Sequence, residues 1–196
     1  MLGERKLASL TENREPRRFL DDAWNGGAVD WALEKGQWKF AMRTVMLDYS
    51  PSVESEFGFK RAFDLPSDHI RLCGVYSDES MACPLLQYRQ RAQFIVCDLD
   101  TIYVEFVSND QDYGNDLSLW PQTFVKFVEV HLASEVAMPL TQNRTKMEDM
   151  LTLRDKRMLP DALSKDAMQD PTRIPPSGSW VRARMWSGNY RRAGDR

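Results

Sequence analysis

The spacing of apolar side chains changes twice along this chain, and that change constrains its fold more than any other feature. Before residue 37 and after residue 107, apolar side chains recur three or four positions apart, as in amphipathic helices. Between these positions they alternate with polar side chains in short stretches, which is typical of strands. Because strand follows strand with short links, the sheet should be antiparallel. The pattern predicts an α+β fold, a helical bundle with an inserted antiparallel β subdomain.

The pattern also divides the chain into four segments. They are the N-terminal helices of the bundle (1–36), the antiparallel β subdomain (37–107), the C-terminal helices of the bundle (108–170) and a basic extended arm (171–196). Gly26-Gly27 should break the first helical segment, since two adjacent glycines disfavour a continuous helix.

Individual elements follow from the same periodicity. In the β subdomain we expect strands at 37–43, 71–76, 85–88, 93–97 and 101–107, with Phe57, Phe59 and Phe63 in a partner for the first strand. A tight turn at 98–100 should join the last two strands, and Ser67 should cap one helical turn.

Six side chains set the expected helix boundaries in the second half of the chain. Ser118 is expected to cap a strong helix that has Pro121 in its first turn and ends at Pro139. Thr145 and Glu148 form a capping-box pattern for the next helix. Pro160 should end or kink that helix, and residues 161–168 should form another helical piece.

Charge is unevenly distributed between the body and the tail. The chain carries a net charge of −3, whereas residues 171–196 hold six arginines against one aspartate. The tail is therefore +5 and the rest of the chain −8. An acidic body does not suit general nucleic-acid binding, which needs many phosphate contacts from a basic face. A basic arm can instead dock on an acidic surface, such as that of a neighbouring subunit.

Arginine and tryptophan dominate the arm. Trp180, Arg182, Arg184 and Trp186 alternate in SWVRARMWS and share one face if the segment is extended. These residue types are typical of interface hot spots. The alternative is a last strand packed on its own core with its arginines reaching solvent. The predicted partner or subunit interface comprises Trp180, Arg182, Arg184, Trp186, Arg191 and Arg192.

The two histidines and three cysteines do not assemble a recognisable reactive site. His131 lies on an apolar helix face four residues before Glu135, and we expect it to pair with that carboxylate. His69 should be exposed in the turn after Pro66, with Cys73 one helical turn away. A zinc site needs four ligands in paired short spacings, and Cys83 and Cys97 supply no second pair. The cysteines are three, an odd number, and their spacing is not that of a disulfide framework, which fits a protein of the reducing cytosol.

Other chemical motifs also fail. Asp110 and Asp112 match the first two ligands of a calcium-binding EF-hand, but Gly114, Asn115 and Pro121 break the pattern. The sequence has no phosphate-binding GxxxxGK[ST], no GxGxxG and no GxSxG elbow. No apolar run approaches the ~20 residues of a membrane helix, and the first residues lack a signal-peptide core. We therefore predict no catalytic, cofactor-binding or metal-binding residues, no enzyme activity and no membrane partner.

The order of segments resembles a known family. The matching stretches are GQWKFAMRTV (36–45), FKRAFDLPSDHIRLCGVY (59–76), TIYVEFVSND (101–110), WPQTFVKFVEVHLASEVAMPLTQN (120–143), DALSKDAMQD (161–170) and SWVRARM (179–185). Taken in order over residues 20–186, they resemble the tail tubular protein A family, the head-to-tail adaptors of short-tailed bacteriophages.

The resemblance implies a structural virion protein at the head-tail junction, present in the host cytoplasm during assembly. It implies a homo-oligomer, usually a dodecameric ring, between the portal protein and the tail nozzle protein. Double-stranded DNA would pass through the lumen without specific binding, so Asp and Glu should predominate on the lumen face. The arm would reach the portal or a neighbouring subunit.

Two other functions remain open from the sequence. A tail-associated glycan or peptidoglycan hydrolase would need a carboxylate pair facing one cleft, drawn from Asp98, Asp100, Asp110 and Asp112. A regulator that binds double-stranded DNA would show steeply salt-dependent affinity, which the acidic body disfavours.

Overall fold

A computed structural model describes residues 14–169. In this part the chain mixes helices with antiparallel sheets, which confirms the α+β class. The helices are α1 (Glu15–Ala23), α2 (Val29–Glu34), α3 (Gln122–Thr141), α4 (Arg144–Leu153) and α5 (Leu159–Ala167), and the strands are β1 (Met42–Asp48), β2 (Arg61–Asp64), β3 (His69–Tyr76), β4 (Arg89–Arg91), β5 (Phe94–Cys97) and β6 (Thr101–Ser108). A π-helical turn (Trp24–Ala28) joins α1 to α2, and another (Arg154–Met158) joins α4 to α5.

The strands form two sheets rather than one. The first has the order β1-β6-β3 and the second β2-β5-β4, with every neighbouring pair antiparallel. The predicted partner of the first strand was wrong, because β1 pairs with β6 while Phe57 is fully exposed. The link at 98–100 passes from one sheet to the other, so it is not a hairpin turn.

The first strand begins later than predicted because aromatic packing takes over its start. Trp38 is buried, and its indole Nε1 donates to the carbonyl oxygen of Ala32 at 3.0 Å. The rings of Trp38 and Phe40 both lie 4.8 Å from the ring of Phe124. Lys39–Ala41 therefore form a short 3₁₀ turn against α3, and strand pairing starts at Met42. The strand expected at 85–88 is likewise displaced, to Arg89–Arg91.

Three predicted caps were wrong: Ser67 and Ser118 cap no helix, and another side chain takes the role predicted for Thr145. Ser67 lies in a turn without a helix. Ser118 donates from its backbone N and its Oγ to Asp116 Oδ1, and α3 begins only after Pro121. Asn143, not Thr145, caps α4, since its side-chain oxygen accepts from the backbone N of Lys146 at 3.2 Å.

Neither internal proline ends its helix where expected. Pro139 lies within α3, which continues to Thr141 and stops where Gln142 takes a left-handed conformation (φ 50°). Pro160 lies in the first turn of α5, where a proline is tolerated, directly after the π-helical turn. The chain from Arg144 to Ala167 is therefore helical throughout.

Strand β6 contributes side chains to both apolar cores of the described structure. Its Val104 and Phe106 belong to the core between the sheets, while its Val107 belongs to the core among the helices. At its start, the carbonyl oxygen of Asp100 accepts from the backbone N of Tyr49, next to β2. At its end, Asn109 Nδ2 donates to Asp30 Oδ1 on α2 at 3.1 Å. The second sheet thus packs along β6 from its start, and the helices contact its end.

The break predicted at Gly26-Gly27 is confirmed, and only Gly27 has a left-handed conformation (φ 92°). A Cβ at either glycine would meet no atom within 4 Å, so the two positions differ in backbone strain rather than in space.

We expect Gly27→Ala to lower the free energy of unfolding by about 1 kcal/mol. Gly26→Ala should leave stability unchanged or slightly higher, since alanine is favoured in helices. Urea denaturation of both variants tests this, and equal losses would contradict it.

Candidate functional site

The residues predicted from the sequence as the interface lie outside the described part of the chain. They are Trp180, Arg182, Arg184, Trp186, Arg191 and Arg192. The described residues can therefore be searched for the surfaces that such a segment, or another protein, would contact.

Two sets of exposed apolar side chains belong to different parts of the described structure. The sheet-end surface consists of Phe57 and Leu86, which are 104% and 87% exposed, in loops that precede β2 and β4. The helix-end surface consists of Trp24, Leu117 and Leu119, which are 40%, 60% and 46% exposed. The first set lies in loops beside the second sheet, and the second lies at the α1–α2 junction and in the loop after β6. Neighbouring exposed apolar side chains, such as Trp24 and Leu117 in the wall of one cleft, are typical of contact sites.

The helix-end surface borders an open cleft of about 660 Å³, the acidic cleft. Its walls come from the α1–α2 junction (Trp24, Asn25, Gly27, Val29, Asp30) and from the loop after β6 (Gln111, Asn115, Asp116, Leu117). Hydrogen bonds from the side chain and backbone of Ser118 lower the pKa of Asp116, so this carboxylate is ionised at neutral pH. The cleft holds two carboxylates and no basic side chain among its lining residues. Carboxylates beside an exposed indole suit a cationic, aromatic-containing partner.

A polar cluster fixes the loop that forms one wall of this cleft. Asp68 Oδ2 accepts from Ser108 Oγ and, at 2.7 Å, from Arg43 Nη1. Ser108 Oγ in turn accepts from the backbone N of Asp110 at 3.0 Å. Burial pushes the pKa of Asp68 upward, but the hydrogen bonds from Ser108 and Arg43 outweigh it and hold the pKa below its usual value. The cluster therefore connects β1, β3 and β6 to the loop.

Loss of the Asp68 carboxylate should destabilise this connection. Asp68→Ala leaves the fully buried Ser108 hydroxyl and the half-buried Arg43 without their acceptor, at a cost of roughly 2–3 kcal/mol. Asp100→Ala is the matched control, because the Asp100–Arg61 ion pair is exposed and should contribute little. Thermal unfolding would compare the two variants. A Tm for Asp68→Ala equal to that of the control would show that the cluster does not hold the loop.

His131 does not pair with Glu135 as predicted. It is buried in α3 at 4% exposure, and its ring stacks on Trp31 with centroids 4.0 Å apart. Its Nδ1 lies 3.3 Å from Arg154 Nη1, and the Arg154 guanidinium also lies over the Trp31 ring. Burial, reinforced by the positive charge of Arg154, lowers the pKa of His131 to about 4. The ring is therefore neutral at physiological pH and acts as a packing element.

His69 also differs from its prediction. It begins strand β3 and is half-buried against Phe106, with no hydrogen-bond partner for its Nε2 in the described part of the chain. Cys73 lies on the same strand, so the two are not one helical turn apart. Among residues 14–169, no group of three or more His, Cys, Asp or Glu side chains is arranged to hold a metal ion. In the same range, no helix combines the length and apolar character needed to cross a membrane.

The four candidate carboxylates of a hydrolase do not come together. Asp98 and Asp100 precede β6 and contact the second sheet, where Asp98 Oδ1 accepts from Lys60 N at 3.0 Å and Asp100 pairs with Arg61 at 2.8 Å. Asp110 and Asp112 follow β6, and Asp110 lies 3.8 Å from Arg43. The two pairs thus lie at opposite ends of an eight-residue strand and do not share a cleft.

Sequence reasoning missed the acidic cleft because its two carboxylates are far apart in the chain. Asp30 and Asp116 meet only through the contact of the β6–α3 loop with α2. The glycine pair Gly26-Gly27 was the sequence feature that could have indicated an opening at the α1–α2 junction.

In comparisons of the sequence with known proteins, no family model and no curated protein matches the chain.

Proposed function

We propose that this protein is a structural virion component, a head-to-tail adaptor that forms a ring between the portal protein and the tail nozzle protein. In this proposal the five helices form the bundle, the two sheets form the inserted β subdomain, and residues 171–196 form the extended arm. The segments that resemble the tail tubular protein A family, in the order in which they occur, support it.

The presence of two separate exposed apolar surfaces carries the proposal. A subunit that joins a ring and also holds two further proteins needs more than one contact surface. The sheet-end surface and the helix-end surface are composed of different residues in different parts of the fold. An enzyme that acts alone has no evident need for both, because exposed groups of this kind favour association.

A bridging assay tests the proposal directly. Immobilised portal protein should retain soluble tail nozzle protein only when this protein is added. Phe57→Ser together with Leu86→Ser should reduce the retained nozzle protein or the retained adaptor, since both side chains are exposed and their replacement leaves the core intact. Bridging that is absent with the unaltered protein, or equally strong without it, would contradict the adaptor function.

The hydrolase alternative has a separate test. If the protein cleaves glycans, replacing Asp98, Asp100, Asp110 and Asp112 by alanine should abolish the release of sugar or peptidoglycan fragments. Retaining hydrolases hold their two carboxyl groups ~5 Å apart and inverting ones up to roughly 9.5 Å. Placement of the two pairs at opposite ends of β6 disfavours a site that combines both, so we expect no cleavage by the unaltered protein.

A DNA conduit should bind its cargo weakly. The net charge of −8 on residues 1–170 supports a lumen in which acidic side chains predominate, because each Lys or Arg contact to phosphate would add affinity. A ring with a continuous basic lumen would contradict this part of the proposal.

A further inference from the structure

We propose that the acidic cleft is the docking site for residues 180–186 of a second copy of this chain. The inference rests on the proposed function, since a ring requires contacts between neighbouring copies, and it names the surface that receives the arm. The occupant is identified by its chemistry, two arginines between two tryptophans on one face of an extended segment.

Charge distinguishes the acidic cleft from three other clefts of the described structure. The cleft beside His131 mixes Asp22 and Glu135 with Arg154, and the cleft at Phe57 mixes glutamates with Arg89. The cleft at the end of α5 is lined by Lys35, Lys39 and Arg71 against Asp166. Among these four, the acidic cleft is the one without a basic lining residue. A segment that carries two arginines and no acidic residue is therefore best matched here.

The walls of the cleft also match the aromatic side chains of the segment. Trp24 and Leu117 are 40% and 60% exposed, and burial of such side chains by a tryptophan is favourable. The guanidinium groups of Arg182 and Arg184 can pair with the carboxylates of Asp30 and Asp116. Gly27 forms part of the wall and has no atom near its missing Cβ, so an incoming backbone can approach closely. The volume of about 660 Å³ lies within the range of ordinary binding sites.

The described chain ends near the C-terminal end of α2, whereas the acidic cleft lies near the N-terminal end of that helix. Helix α5 packs against the C-terminal end of α2, where Leu163 adjoins Gly36 and Asp166 accepts from the backbone N of Lys39. The acidic cleft adjoins the opposite end of α2, at Val29 and Asp30. The requirement of a ring for contacts between copies selects the cleft of a neighbouring copy, and the mixing experiment below distinguishes it from the chain's own cleft.

The experiment uses full-length variants that separate donor from receptor. The receptor variant keeps the acidic cleft but carries alanine at Trp180, Arg182, Arg184 and Trp186, so it can receive an arm and cannot donate one. The donor variant carries Asp30→Asn and Asp116→Asn, which remove the charges while the amide oxygen still accepts from Asn109 and Ser118. Each variant alone should be monomeric without portal protein, and an equimolar mixture should form a heterodimer, measured by analytical ultracentrifugation. A mixture that stays monomeric would overturn the inference.

A peptide of residues 178–188 with a fluorescent label provides the second measurement. It should bind the receptor variant, and adding Asp30→Asn and Asp116→Asn to that variant should weaken binding about tenfold or more. Asp48→Asn with Asp98→Asn is the matched control, because these exposed carboxylates also accept hydrogen bonds but lie outside the cleft. Binding should stay within about twofold of the unaltered receptor in this control. Equal weakening in both pairs, or no binding to the receptor, would overturn the inference.

These outcomes are distinguishable from failure of the proposed function. If the unaltered protein bridges portal and nozzle, and the donor variant bridges them equally well, the docking inference falls while the adaptor function stands. If the heterodimer forms but the unaltered protein does not bridge, the adaptor function falls and the contact between copies remains.

Discussion

Removal of residues 171–196 is expected to leave a folded protein that no longer joins its ring or the portal. The described fold already closes its apolar cores with residues up to α5, so its Tm should change little. The removed segment holds six arginines and two tryptophans, the residue types that dominate interface energetics. The native mass of the truncated protein, mixed with portal protein, measures the loss. Normal docking of the truncated protein would remove the arm from the account.

A full-length control separates the chemistry of the arm from its length. Replacement of Trp180, Arg182, Arg184 and Trp186 by alanine keeps every residue of the spacer. This variant should fail to assemble in the same way as the truncated protein. If only the truncated protein fails to assemble, the arm acts through its length or its last residues rather than through the side chains of these tryptophans and arginines.

The second large effect is a loss of stability in mild acid caused by His131. The pKa of this buried ring is about 4 in the folded protein, against about 6.5 when the chain is unfolded. The unfolded state therefore binds the proton first as the pH falls below 6.5, and the folded state loses stability until about pH 4. Over this window the loss should reach roughly 3 kcal/mol, and above pH 6.5 the contribution is constant.

His131→Phe should flatten this dependence, because phenylalanine keeps the stack on Trp31 without a titratable group. Urea denaturation at pH 4.5 and pH 7.5 would measure the difference. A residual slope should remain, since burial also lowers the pKa of His69. Arg154→Met should raise the pKa of His131 only in part, because burial is the larger cause. Equal pH dependence in the unaltered protein and in His131→Phe would contradict the assignment.

The elements predicted best from the sequence are those whose pattern and packing agree. Strand β6 alternates cleanly because alternate side chains enter the cores, and it appears at Thr101–Ser108, one residue longer than expected. A strong helix was expected between Ser118 and Pro139, and α3 appears at Gln122–Thr141 with buried residues on several sides. The strand predicted at 37–43 began too early, because the alternating aromatic side chains around Trp38 pack on α3 through a 3₁₀ turn. Tertiary contacts at that point outweighed the strand pattern.

The candidate site was less predictable because it depends on long-range contacts. Nothing in the spacing of Asp30 and Asp116 indicates that they line one cleft, since the loop after β6 must first pack against α2. The partner of His131 was missed for a similar reason. Glu135 is one helical turn away, but Arg154 reaches the ring from the π-helical turn after α4. The spacing along the helix favours Glu135 as the partner of His131, whereas the packing of the helices places the Arg154 guanidinium beside the ring.

The most direct test of the adaptor account is the native mass of the purified full-length protein, alone and after mixing with its cognate portal protein, combined with particle images of any large species. The account predicts closed rings with a central channel in at least the mixed sample. A protein that remains monomeric in both samples would contradict it.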